Sequence, residues 1–285
     1  MLKRWHWIGG RFAEKDELQV SARLLGLLRG WAIFDYFLSV GGELSPITDL
    51  YLDRFYTSAS RLKLEVPVSR EDLKELLREL INLNGGIQAF RLVLSAGESS
   101  DGWNPDGKPV LMIFSEAISE VPQQWFSKGI SLKTYQFLRP LPQVKTTFYV
   151  VGKLAQMDAD TDDVLFVYGG NVLETPRSNI FFVKDNALIT AGNNVLKGIT
   201  RKLVIEIAQE RGLEIIERDV PLNSISDMDG AFITGTTKPI VPVRQIDDVG
   251  YEVTRMKEML DLLRNELLER TGLSINTVVS GVLND

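Results

Sequence analysis

Cysteine is missing altogether from the 285 residues, and histidine occurs once, at His6. The first absence excludes disulfides, thiolate metal sites and a cysteine nucleophile. The second excludes a Ser-His-Asp triad and any multi-histidine metal site built within one chain, so no metal is expected. Lysine and arginine number 32 against 38 aspartates and glutamates, a net charge of −6. That balance argues against a phosphate-backbone binder with its usual basic face, and no nucleic-acid partner is expected. No apolar run approaches the ~20 residues needed to cross a bilayer. The N-terminal Met1-Leu2-Lys3-Arg4-Trp5-His6-Trp7 is basic but has no apolar core or small-residue cleavage site behind it. A cytoplasmic protein without membrane contact is therefore expected, with lysine, carboxylates and tyrosine as its proton carriers.

What is present suits an ordinary globular protein of about two domains, with 44% hydrophobic and 25% charged residues. Residues 5–12 read as a strand broken at Gly9-Gly10, and Ser21–Gly30 as a loop or a helical turn. The aromatic run from Gly30 to Val40 reads as a buried strand. Pro46–Leu62 places Leu50, Leu52, Phe55, Ala59 and Leu62 at near-helical spacing. Ser69 with Asp72 resembles a capping box ahead of the stripe Leu73, Leu76, Leu77, Leu80, Ile81, which Gly85-Gly86 ends. Strands follow at 90–95 and 109–114, around a turn-rich loop. A linker is expected near 119–128 and a strand at 131–137. Hairpins are expected at 163–174 and 179–190, the first around Gly169-Gly170-Asn171. A helix begins after Gly198, and a terminal amphipathic helix spans Val253–Leu268.

The most informative stretch is Glu174–Arg201. It sets a carboxylate at a strand end, then a tight turn, then a helix start exposing the Ile199 and Thr200 N–H groups. A glycine before a helix start lets an anion approach those donors, and the helix dipole favours its charge. Read alone, each residue has a plainer role. Glu174 could be a solvated loop residue, Thr200 an ordinary cap and Lys145 a surface charge. Arg54 could pair with Asp53 or Glu65, and Phe34 could simply pack in the core.

Taken together, these residues resemble the class IV (fold-type IV) pyridoxal-phosphate enzymes. That family includes branched-chain and D-amino-acid aminotransferases, some amine transaminases and 4-amino-4-deoxychorismate lyase. The likeness rests on E-x-x-x-S-N-I-F at Glu174–Phe181, L-K-G-I-T-R at Leu196–Arg201 and Leu52-Asp53-Arg54-Phe55. Lys145 with Tyr149 and Phe232-Ile233-Thr234-Gly235-Thr236 complete it, in the family's order. The resemblance implies an α/β (α+β) fold of two domains, a smaller N-terminal α/β domain at 1–118 and a larger pseudo-barrel-like α/β domain at 131–285. Residues 119–130 would link them.

The resemblance also implies pyridoxal 5'-phosphate as cofactor, carried covalently by Lys145, which would then shuttle a proton as a neutral amine. Glu174 would face the ring nitrogen and Tyr149 the phenolic oxygen. Arg54, Ile199, Thr200 and Thr236 would hold the phosphate, a task for which a planar guanidinium is suited. Phe34, Tyr36 and Thr237 would line the substrate pocket, with Arg29, Arg91 and Arg177 as candidates for its carboxylate. Tyr51 stands where many members have histidine, and Phe148 where asparagine is frequent. The implied activity is transamination between an α-amino acid, a branched-chain L- or a D-amino acid, and a 2-oxo acid, in a homodimer. A lyase releasing pyruvate uses the same residues, and a catalytically silent binding protein of the same fold is the remote alternative.

Overall fold

The structure, a computed structural model, describes residues 4–280. The outermost residues of both expected domains, Met1–Lys3 and 281–285, lie outside the described residues. By its contacts the chain divides into two units. One runs to Ile118 and adds Val144–Phe148; the other comprises Ser119–Gln143 and Tyr149–Ser280.

In the first unit, strands β1 (Trp5–Ile8), β2 (Arg11–Glu14), β3 (Ala32–Val40), β4 (Glu43–Leu44), β5 (Ala89–Ser95) and β6 (Val110–Glu116) form one sheet, ordered β2-β1-β6-β5-β3-β4. Every pairing is antiparallel. Side chains alternate across such a sheet, and the register sorts them into two faces. Phe37 lies opposite Phe90 and Asp35 opposite Leu92 on one face, while Phe34 faces Val93 and Tyr36 faces Arg91 on the other. The short helix α1 (Leu25–Arg29) ends on Gly30 in the left-handed conformation at φ 68°.

Helices α2 (Thr48–Arg61) and α3 (Arg70–Asn84) supply the apolar cover. Leu52 and Phe55 of α2 are fully buried, and Tyr51 stacks on Phe37 at 5.2 Å between ring centroids, which sets α2 on the Phe37 face. The Ser69 hydroxyl accepts the Asp72 N–H at 3.1 Å and caps α3 as its sequence predicts. The Lys145 segment joins this unit through the edge of β3. Phe34 N–H donates to the Lys145 carbonyl at 2.9 Å, Thr147 N–H donates to the Ala32 carbonyl at 3.3 Å, and Ile33 bridges Thr146. Sequence position alone would have kept Val144–Phe148 within the range 131–285.

The second unit holds ten strands: β7 (Ile130–Gln136), β8 (Asp163–Tyr168), β9 (Asn171–Val172), β10 (Asn179–Lys184), β11 (Ala187–Ala191), β12 (Glu214–Arg218), β13 (Val220–Pro221), β14 (Gly230–Gly235), β15 (Lys238–Ile246) and β16 (Val249–Gly250). Their order is β12-β11-β10-β14-β15-β7-β8-β9-β13, with β16 on β15. The path folds back on itself. Phe166 N–H donates to the Glu174 carbonyl at 2.9 Å, and Glu174 bridges Asn179 at the start of β10. The ring β10-β14-β15-β7-β8 therefore closes through Leu173–Glu174, giving the expected pseudo-barrel around Leu132, Leu165, Ile180, Phe182, Ile233 and Val241. Closure removes most of the open sheet edge.

Helices α4 (Gln123–Lys128), α5 (Val150–Asp158), α6 (Ile199–Glu210), α7 (Lys257–Thr271) and α8 (Ile275–Ser280) complete this unit. Two differ from expectation. The segment 119–130, expected as a linker, carries α4, whose Trp125 and Phe126 pack on the barrel core. Helix α5 has no counterpart in the sequence reading, because it buries only Gly152 and Ala155, which give little apolar signal. Among the described residues no helix is long and apolar enough to cross a membrane.

Candidate active site

The first unit positions an amine and a guanidinium from one strand. Lys145, half-buried, sets its Nζ 4.6 Å from the centre of the Phe34 ring. On the opposite face of β3, the Asp35 carboxylate accepts Arg54 Nε at 2.9 Å and Nη2 at 2.6 Å. Neither Asp53 nor Glu65 takes that place, since Asp53 pairs with Arg70 at 2.5 Å. Beside Phe34, the Arg91 guanidinium lies over the Phe34 and Tyr36 rings at 5.7 and 5.1 Å. It donates Nε and Nη2 to Glu116 at 2.7 and 2.9 Å, so the sheet itself already supplies it with a carboxylate. Arg29 is exposed at the end of α1 and donates Nη1 to the Leu28 carbonyl at 3.0 Å.

The second unit gathers the signature stretch around Glu174. Its carboxylate accepts Arg139 Nε at 2.9 Å, Asn179 Nδ2 at 3.2 Å and Leu196 N–H at 3.1 Å, with both Glu174 and Arg139 buried. The turn that follows is tied by the Thr175 hydroxyl, which accepts Ser178 N–H at 3.0 Å, and leaves Arg177 exposed. Asn179 Nδ2 also donates to the Leu196 carbonyl at 2.8 Å, linking this turn to the segment that opens α6.

Helix α6 begins on Gly198 with no side-chain cap. A Cβ built on Gly198 would lie 2.3 Å from Asn179 Oδ1, so only glycine lets the two segments approach this closely. Ile199 and Thr200 are buried in the first turn, where helix N–H groups lack intrahelical partners. Thr236 and Thr237 form the half-buried turn between β14 and β15. Gly235 beside them would place a Cβ 3.2 Å from Ser178 Oγ and from the Arg177 carbonyl, so this turn abuts the signature turn. Among the described residues, the buried Ser178 Oγ and Thr234 Oγ1 have no hydrogen-bond partner.

After this turn, Lys238 is buried 3.1 Å from Asp163 and lies over the Trp125 ring at 5.6 Å. Loss of hydration on burial lowers its pKa, while Asp163 opposes that shift. Tyr149 caps the N-terminus of α5 by position and is half-buried.

The sequence matches the class IV amino-transferase family over residues 32–246. The chain belongs to that family. A Methanocaldococcus jannaschii protein, named provisionally as a branched-chain-amino-acid aminotransferase, is 32% identical over 91% of this chain and 96% of its own. A D-alanine aminotransferase of Listeria monocytogenes is 28% identical over 85% of this chain and 87% of its own. Among solved structures, the T.th. branched-chain amino acid aminotransferase with pyridoxamine 5'-phosphate superposes with a TM-score of 0.82. It is 25% identical and covers 96% of this chain and 97% of its own. The branched-chain aminotransferase of Thermoproteus uzoniensis reaches a TM-score of 0.84 at 22% identity, covering 94% and 96%.

Within this aminotransferase, Asp35 pairs with Arg54 in one unit, and Arg139 and Asn179 hold Glu174 in the other, none of the three singled out by sequence. Asp35 left a trace, as a lone carboxylate at an inward position of an aromatic strand, where a buried charge requires a partner. Arg139 left none, because its partner lies 35 residues away.

Proposed function

We propose that this class IV aminotransferase uses pyridoxal 5'-phosphate to move an amino group between an α-amino acid and a 2-oxo acid. The observation that carries the reading is the Glu174 carboxylate, buried yet supplied with three donors. Such a group suits a protonated ring nitrogen, and the family's chemistry depends on one. On this reading the remaining donors would serve the other poles of the cofactor. Lys145 offers the amine, and the uncapped start of α6 with Gly198, Thr200 and Thr236 offers the donors and space a phosphate needs. Arg54 offers a cation whose Nε and Nη2 are held by Asp35.

When bound, the cofactor supplies an electron sink for charge developing at the substrate Cα. Lys145 on this reading would hold the cofactor covalently and would then carry the proton at Cα. Glu174 keeps the ring nitrogen protonated, Tyr149 donates to the phenolic oxygen, and Arg54, Ile199, Thr200 and Thr236 fix the phosphate. Phe34 and Tyr36 provide an apolar wall, with Thr237 and Arg177 at its edge. Arg29 and Arg91 recognise the substrate carboxylate, Arg91 with its plane set by Glu116.

The enzyme acts as a homodimer in the cytoplasm. Support for a second copy comes from α5, whose Val150, Leu154 and Met157 recur on one helical stripe and are 52%, 54% and 68% exposed. A branched-chain or D-amino acid is the donor class, after the names of the relatives.

Purified protein should carry a visible absorbance that borohydride bleaches, fixing the cofactor to Lys145 in the mass spectrum. Branched-chain L- and D-amino acids, tested separately, should convert the bound cofactor to pyridoxamine 5'-phosphate. Pyruvate release from aminodeoxychorismate without that conversion would overturn the transaminase in favour of the lyase.

A further inference from the structure

We propose that Asp35 is the positioning residue for the phosphate grip of Arg54, an inference that rests on the cofactor reading above. Asp35 is fully buried at the middle of β3, on the face covered by α2. A carboxylate in that position is costly unless paired and hydrogen-bonded. It is both. Oδ2 accepts Arg54 Nε, while Oδ1 accepts Arg54 Nη2 and the N–H of Tyr36 at 2.8 Å. The Arg54 guanidinium also lies over the Tyr51 ring, 5.5 Å from its centre.

An arginine is a long, flexible side chain, and aiming its donors at a phosphate requires its plane to be fixed. Here two parallel hydrogen bonds fix the plane from one edge and an aromatic ring flanks it, which turns Nη1 away from the carboxylate. The charge argument points the same way. An aspartate beside a phosphate arginine subtracts positive charge, so its value to phosphate binding is geometric. The neighbouring residue on the same strand adds a second consequence. Phe34 N–H holds the Lys145 carbonyl at 2.9 Å, so adjacent residues of β3 secure the segment bearing the amine and the arginine.

The test is equilibrium dialysis of the full chain against pyridoxal 5'-phosphate and against pyridoxal, which has the same ring and aldehyde but no phosphate. Asp35→Asn should weaken pyridoxal 5'-phosphate about 10- to 100-fold, the range for one hydrogen bond to a charged group. Its pyridoxal affinity should stay within about twofold of wild type, well below that range. Arg54→Gln should show the same selectivity, and Asp35→Asn should add nothing in the Arg54→Gln background. Equal loss for both ligands, no loss for either, or additive losses would overturn the inference. Should Asp35→Asn fail to fold, the double variant removes the unpaired cation, and its comparison with Arg54→Gln still decides. Wild type that binds neither ligand would instead sink the cofactor reading itself.

Discussion

Arg139 and Glu174 form an ion pair of 2.8 Å in which each side chain is only 6% exposed. Arg139 Nη2 also reaches the Pro142 carbonyl at 2.8 Å, so the guanidinium is held from two sides. A buried carboxylate is costly unless it is paired and hydrogen-bonded, and Arg139 is its cationic partner here. Replacing Arg139 by methionine keeps the volume and leaves the carboxylate without its cation. The expected cost is about 3–5 kcal/mol of stability, as for one partner removed from a buried pair. Activity should fall with it, while Glu174→Gln in the same background should recover part of the stability but none of the activity. Thermal melts and steady-state rates on the two variants check both statements; an Arg139→Met protein of unchanged stability would contradict the pairing.

That ion pair also marks where sequence stops being informative. The Ser69 cap and the stripe of α3 were legible because both are local, with partners three or four residues apart. The signature from Glu174 to Arg201 was legible as a motif, and the helix start at Gly198 stands where expected. Arg139 with Glu174, Arg54 with Asp35 and Arg91 with Glu116 are contacts made by chain topology. No local pattern announces them. Val144–Phe148 is the same lesson at the level of the backbone, since pairing with the edge of β3 moves it out of its sequence neighbourhood.

Gly198→Ala tests whether the close approach at the start of α6 matters. The backbone angles there, φ −64° and ψ 143°, suit any residue, so conformational strain is not the issue. The added methyl would meet Asn179 Oδ1, and Asn179 in turn holds Glu174 and the Leu196 carbonyl. Overpacking of this kind typically costs about 1–3 kcal/mol. The variant should melt earlier and take up pyridoxal 5'-phosphate more weakly. Wild-type affinity in a folded Gly198→Ala protein would remove this contact from the account.

Leu154→Glu combined with Met157→Glu places two charges on the exposed stripe of α5. Both side chains are solvent-facing, so a monomer should fold with its stability changed by no more than about 0.5 kcal/mol per substitution. Burying the stripe against a second copy would make those charges costly, and sedimentation should then record a shift from dimer to monomer. A double variant that sediments with wild type would place the interface elsewhere.

His6 gives the pH dependence its sign. The imidazole is buried, its Nδ1 accepts the Ser115 N–H at 3.1 Å, and its Nε2 has no partner. Burial first, and then the positive charge of Arg4, lower its pKa below the ordinary 6.5. Between 6.5 and the lower folded value, the unfolded chain binds more protons than the native one. His6 thus contributes full stability above about pH 6.5, and that contribution declines as acid carries the pH down through this window. Urea unfolding of wild type and His6→Gln, from about pH 8 to 5, isolates the effect because the carboxylates are common to both. The glutamine variant should start less stable, having lost the fitted acceptor for Ser115, and should then lose less on acidification. Parallel curves across the window would mean that the imidazole gains its proton without disturbing the fold.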